Sequence, residues 1–230
     1  MKKSGLEEIK FKCFYNYGGS LNQKIKLIVL GDENVGKTSI INRFKTNQFS
    51  AVYEPTVGMD FQNISLLIDN QNVSLLLYDT AGQEKFRALI PLYTKDANII
   101  FLVYDTTNYE SFSNIEKWYE SLSNVNKEEV IFILVGNKID LTEERKVKEE
   151  EAKKYADEHN YIFQELSALT GEGVQELFMN KLLAQIRTNL LNKGRINVAD
   201  QEEENLKFHL QENKEKKQKN KNKKCCCCVN

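Results

Sequence analysis

Long hydrophobic runs are missing from this chain. Its strongest apolar stretches, residues 99–103 and 130–135, fall far short of the roughly 20 residues a helix needs to cross a bilayer, and both read as buried strands. Cysteine is scarce wherever a disulfide scaffold would need it: of five, four are consecutive at 225–228 and only Cys13 lies elsewhere, which excludes a disulfide-stapled fold. The N-terminal residues are charged and lack an apolar stretch ending at a small-residue cleavage site, so no signal peptide is expected and the chain is expected to stay in the cytosol. No internal repeat is visible. The formal net charge is only −1, yet it conceals an asymmetry, because Glu202, Glu203 and Glu204 precede a lysine-rich run from 214 to 224. Such charge blocks are normally solvated and unstructured, and a basic tail suits either nucleic acid or an anionic membrane.

What is present is enough apolar residue, 41% of 230, for one substantial core. Residues 1–22, with Gly18 and Gly19 ahead of the first strand signal, read as an extension. From residue 25 short β-branched runs (25–30, 61–68, 73–78, 99–104, 130–135 and 161–166) alternate with amphipathic stretches (37–45, 84–93, 111–123, 148–159 and 174–190), the pattern of an α/β sheet covered on both faces. Only residues 69–72 separate the second and third strands, which suits a hairpin. The expectation is a single α/β domain over 23–190 with a six-stranded, mostly parallel sheet and one antiparallel strand, followed by a flexible tail over 191–230.

The first strand ends in GDENVGKT, residues 31–38, the spacing of a phosphate-binding loop between strand and helix. Gly31, Asp32, Glu33, Asn34, Val35 and Gly36 would aim backbone N–H groups at phosphate oxygens, Lys37 would neutralise the outer phosphates, Thr38 can ligate magnesium, and Ser39 continues into the helix whose positive end faces the anion. The fifth strand is followed by NKID, Asn137, Lys138, Ile139 and Asp140. A carboxylate at Asp140 accepts from both the ring N–H and the exocyclic amine of guanine, a pair adenine does not offer, which points to GTP over ATP.

The third strand ends in YDTAGQE, residues 78–84, and with this motif the chain resembles a Ras-superfamily GTPase, specifically the Rab family. The resemblance spans about residues 24–190, including YEPTVGMDF (53–61), YDTAGQEKFRAL (78–89), NKID and SAL (167–169), and resumes at the terminal cysteines. It implies a GDP/GTP switch with Mg2+ held by Thr38, Thr56 and, through water, Asp79. Gly82 would donate its N–H to the γ-phosphate, Gln83 would orient the attacking water, and Lys37 and Thr56 would complete the catalytic set. Phe49 would stack on the base, while Ser167, Ala168 and Leu169 would form its far wall. Against the family's effector-facing aromatic triad, Phe61 matches its position, Tyr78 stands where many Rabs have tryptophan, and Tyr93 fits the third; Trp118 reads better as helix packing than as a partner surface. The resemblance further implies effector proteins, a guanine-nucleotide exchange factor, a GTPase-activating protein, a GDP-dissociation inhibitor and a Rab escort protein as partners of a monomer. The stretch 86–108 is most similar to the Golgi-associated Rab branch, with a role in vesicle trafficking.

Two departures stand out. Leu169 replaces the family's lysine, keeping an apolar contact without the charge, and Glu33 places a carboxylate beside the γ-phosphate position, where it either faces solvent or opposes the triphosphate; the rival is therefore a nucleotide-binding scaffold that hydrolyses weakly. The ending CCCCVN suits lipidation better than metal, because adjacent cysteines do not readily close a tetrahedron. Read as a C-a-a-X box the acceptor is Cys227; read as the Rab-type ending, Cys227 and Cys228 both carry geranylgeranyl groups, with Cys225 and Cys226 as further sites or spacers. The lysine run would then act on anionic lipids, and without interleaved aromatics or a recognition fold no nucleic acid is expected as a partner.

Overall fold

The computed structural model describes residues 23–50, 56, 58–68, 71–80, 82 and 90–192. Its strands form where branched and aromatic side chains accumulate: β1 (Gln23–Leu30), β2 (Met59–Ile68), β3 (Gln71–Thr80), β4 (Ile99–Asp105), β5 (Ile131–Asn137) and β6 (Ile162–Glu165). They make one sheet in the order β2-β3-β1-β4-β5-β6. β2 and β3 pair antiparallel, with Ile68 opposite Gln71, and every other pairing is parallel. This is the α/β architecture with one antiparallel strand that the hydrophobic pattern predicts.

Burial follows position in the sheet. Every residue of β4 is buried, as expected of a central parallel strand covered on both faces. Along edge strand β2, Ile64, Leu66 and Ile68 are buried whereas Phe61, Asn63 and Ser65 are exposed, the period-2 signature of one covered face. On one side of the sheet Ile28, Leu30, Ile100, Leu102 and Leu134 share a core with Phe112 of α3 (Tyr109–Ser113), Ile115 and Trp118 of α4 (Ile115–Glu120), and Ala152 and Ala156 of α5 (Glu149–Glu158). On the other, Phe101 meets the edge of Phe178, which stacks on Phe44 of α1 (Lys37–Thr46) with ring centroids 4.0 Å apart. Among the described residues no helix is long and apolar enough to cross a membrane.

Three helices differ from expectation. The stretch 111–123 is two short helices, α3 and α4, meeting at Asn114, whose N–H is drawn to both Glu110 O and Phe112 O; the second stops at Glu120 as Ser121 Oγ donates to Trp118 O. The stretch 174–190 opens with a π-helical segment, Glu176–Leu182, before α6 (Leu183–Asn192). Of the helix expected over 84–93 only α2 (Ile90–Thr94) is described, and 84–89 lie outside the described residues. The chain divides into two units, Met1–Ile186 and Arg187–Asn230. The sheet and the cavity described below belong to the first; of the second only 187–192, the last residues of α6, are described.

Candidate nucleotide-binding site

Parallel strands deliver their C-terminal ends to one edge of the sheet, and strand order reverses around β1, where open α/β sheets collect ligands. A cavity of about 830 Å³ opens there, within the roughly 300–1,000 Å³ of small-molecule sites. The loop from Gly31 to Gly36 crosses it and turns into α1. Gly36 caps that helix at φ 94°, and a Cβ at this position would sit 2.2 Å from Asn137 Nδ2, so both backbone and space demand glycine. Lys37 follows, buried, its Nζ donating to Gly31 O at 2.9 Å and Asp32 O at 2.7 Å. Burial lowers its pKa from 10.5 to about 8 against the pull of Asp79, Asp32 and Glu33. Since the folded value lies below the ordinary one, the buried charge costs stability below about pH 8, a cost relieved as pH rises from 8 toward 10.5; a phosphate facing the ammonium reverses the shift.

Asp79, at the end of β3, supplies a carboxylate whose burial raises its pKa, opposed by the Thr38 hydrogen bond and by Lys37. Its Oδ2 accepts from Thr38 Oγ1 at 2.5 Å, and Thr38 Oγ1 lies 2.9 Å from Thr56 Oγ1. Oδ1 is buried with no hydrogen-bond partner among the described residues. An orphaned carboxylate oxygen beside two hydroxyls is a hard oxygen set that fits Mg2+, and those hydroxyls matter because the described residues hold no group of three His, Cys, Asp or Glu side chains able to bind a metal. Gly82 closes this end: a Cβ there would meet Asp32 C and Glu33 N at 2.3 Å, so only glycine lets the strand-end segment lie against the phosphate loop. Gln83, expected to orient water, lies outside the described residues.

At the other end Asn137 braces three segments. Its Nδ2 donates to Val35 O at 2.8 Å, and its Oδ1 accepts from Ala168 N at 3.0 Å. Ser167 Oγ donates to Asp140 Oδ1 and accepts from Thr170 N at 3.0 Å. Lys138 Nζ pairs with Asp105 Oδ2 at 2.5 Å. Phe49 and Leu169, 38% and 49% exposed, line the same cavity, giving a flat base two apolar walls.

The predicted residues Glu33, Asn34, Gly36, Lys37, Thr38, Ser39, Phe49, Thr56, Asp79, Gly82, Asn137, Lys138, Asp140, Ala168 and Leu169 thus line one cavity. Gly31, Asp32, Val35 and Ser167 do not line it. Val35 is buried behind the loop and Ser167 behind Asp140. The Asp32 carboxylate turns away, accepting from Trp118 Nε1 at 2.8 Å and from Asn114 Nδ2 at 2.7 Å. Ala168 N–H is engaged by Asn137, so a base oxygen has to share or displace that amide. Trp118 is buried and presents nothing to a partner. Asn114 and Trp118 escaped sequence reasoning as members of the loop's support, because 82 and 86 residues separate them from Asp32 and no local pattern marks the pairing.

A phosphate loop at the end of β1, an oxygen set for Mg2+ at the end of β3 and an apolar slot with an acidic reader beyond β5 define a nucleotide-binding switch domain. The Ras family model matches residues 26–188. The chain belongs to the Ras family: it is a small GTPase that binds and hydrolyses guanine nucleotide, with the exchange-factor, activating-protein and effector partners typical of that family.

Proposed function

We propose that this GTPase is a Rab-type switch that recruits effectors in the GTP state to the cytosolic face of endomembranes, at the Golgi, in vesicle trafficking. The observation that carries the proposal is an aromatic pair on the antiparallel hairpin: Phe61, 48% exposed, packs on Tyr78 with ring centroids 5.1 Å apart. It stands where the Rab resemblance puts the effector triad, with half-buried Tyr93 on α2 as the third ring. The terminal Cys227 and Cys228, outside the described residues, would carry the two lipids, since a single chain gives only marginal attachment.

In the reaction Lys37 leaves its two carbonyls for the phosphates, the loop amides of Glu33, Asn34 and Gly36, which line the cavity, hold the β- and γ-oxygens, and Gly82 N–H meets the γ-phosphate. Thr38 and Thr56 would hold Mg2+, with Asp79 behind water, and the ion supplies charge neutralisation at the phosphates. Gln83 orients the attacking water. Asp140, held by Ser167, reads the guanine edge, and Phe49 and Leu169 sandwich the ring. Hydrolysis removes the γ-phosphate that Thr56 and Gly82 would contact, which turns the switch off. Glu33 is exposed on the cavity rim, where its charge can face water.

A Rab-type GDP-dissociation inhibitor tests the assignment. It should extract the GDP-loaded, prenylated protein from vesicles and leave the GTP-loaded form behind. No extraction in either state contradicts the Rab reading while leaving family membership intact; fluorescence microscopy of the tagged chain against Golgi markers tests the compartment separately.

A further inference from the structure

Both walls of the base slot are tied to one side chain that does not itself line the cavity. Half-buried Arg43, on the last turns of α1, donates Nε to Ala168 O at 2.8 Å, Nη2 to Leu169 O, and Nη1 to Asn47 O at 2.8 Å. Ala168 and Leu169 form one wall of the slot. Asn47, the αL residue ending α1, begins the segment that carries Phe49 to the other wall. The 167–171 loop also lies over the arginine stem: Gly171 is at φ 90°, and a Cβ there would contact Arg43 Cδ at 3.6 Å. A planar fork with fixed N–H directions suits three carbonyls from two segments, where an ammonium on a flexible stem serves one well.

Resting on the guanine-nucleotide reading of this slot, we infer that Arg43 is a positioning residue that fixes the separation of the Phe49 and Leu169 walls and so sets how long the nucleotide stays bound. It acts through the base end alone. The phosphate end is held by Lys37, Thr38 and Asp79 at the opposite end of α1, with their own hydrogen bonds. Leu169 makes the clamp more consequential, because the loop lacks the lysine that would otherwise add a contact along the base.

The test uses the full-length protein loaded with a fluorescent guanine nucleotide. Arg43→Ala should speed dissociation of GDP and GTP by the same factor, about tenfold or more, equivalent to about 1.4 kcal/mol or more from the lost charge-assisted hydrogen bonds. Single-turnover hydrolysis of preloaded GTP, and the factor by which EDTA accelerates release, should stay at parental values. Arg43→Lys should fall between parent and alanine variant, and it carries the test if Arg43→Ala does not fold. Dissociation within about twofold of the parent in both variants overturns the inference. So does a parallel drop in hydrolysis, which would mean the arginine merely supports α1 as a whole. Asp140→Asn serves as the control on the underlying reading: if it leaves guanine preference unchanged, the slot assignment has failed; if it shifts preference while Arg43 variants release nucleotide normally, the clamp alone has failed.

Discussion

Trp118→Phe probes the support of the phosphate loop directly. The indole is 1% exposed and donates to Asp32 Oδ1 at 2.8 Å, so the substitution deletes a hydrogen bond to a carboxylate, worth about 1.5–3 kcal/mol. The smaller ring also leaves unfilled core space beside Ile115 and Leu122, adding about 1 kcal/mol. A total loss of about 3 kcal/mol is expected in urea unfolding at fixed, saturating GDP and Mg2+, conditions held constant because ligand binding itself stabilises. Packing loss alone would give a similar sign, so the decisive quantity is the coupling with Asp32→Ala. The double variant should lose about 1–2 kcal/mol less than the two single losses summed. Additivity within about 0.5 kcal/mol would refute the claim that the indole holds the loop through Asp32.

Gly36→Ala should abolish nucleotide binding while leaving most of the sheet folded, because its Cβ would meet Asn137 Nδ2 at 2.2 Å at a φ that disfavours alanine; equilibrium binding together with circular dichroism checks both halves. Asp140→Asn should relax guanine preference toward xanthine, as an amide offers one accepting atom where the carboxylate offers two, and competition between GTP and xanthosine triphosphate measures it. Gln83→Leu should accumulate the GTP form with near-parental affinity, to be read from the nucleotide content of the purified variant; hydrolysis at the parental rate under a GTPase-activating protein would contradict the role. Replacing both Cys227 and Cys228 by serine should leave nucleotide binding unaltered and release the protein from membranes at high salt, whereas a single replacement should already weaken attachment severely; fractionation decides it.

The sheet was legible because its signal is local. The central parallel strands β4 and β5 are runs rich in branched residues and almost wholly buried, and the short 69–72 connection suits a hairpin. The phosphate loop and NKID were legible for a related reason, since their chemistry depends on consecutive residues at fixed spacing. What stayed hidden depends on contacts between distant segments. Helical periodicity over 111–123 carries no mark of the break at Asn114, whose amide serves Asp32 instead of acting as a solvent-facing helical side chain. The π-helical turn at Glu176–Leu182 sits where Phe178 packs against both Phe44 and Phe101, a demand imposed from two other elements. Asp32 read as a phosphate contact because it lies inside the motif; only the fold brings Trp118 to its carboxylate.

If this cavity holds a guanine nucleotide and turns GTP into GDP, the protein should carry that nucleotide through purification. Chromatography and mass spectrometry of the nucleotide released from freshly purified, undialysed protein test it most directly. GDP with a minor GTP fraction is expected at close to one mole per mole of protein, shifted to GTP in Gln83→Leu. Adenine nucleotide, or no nucleotide in a folded preparation, would contradict it.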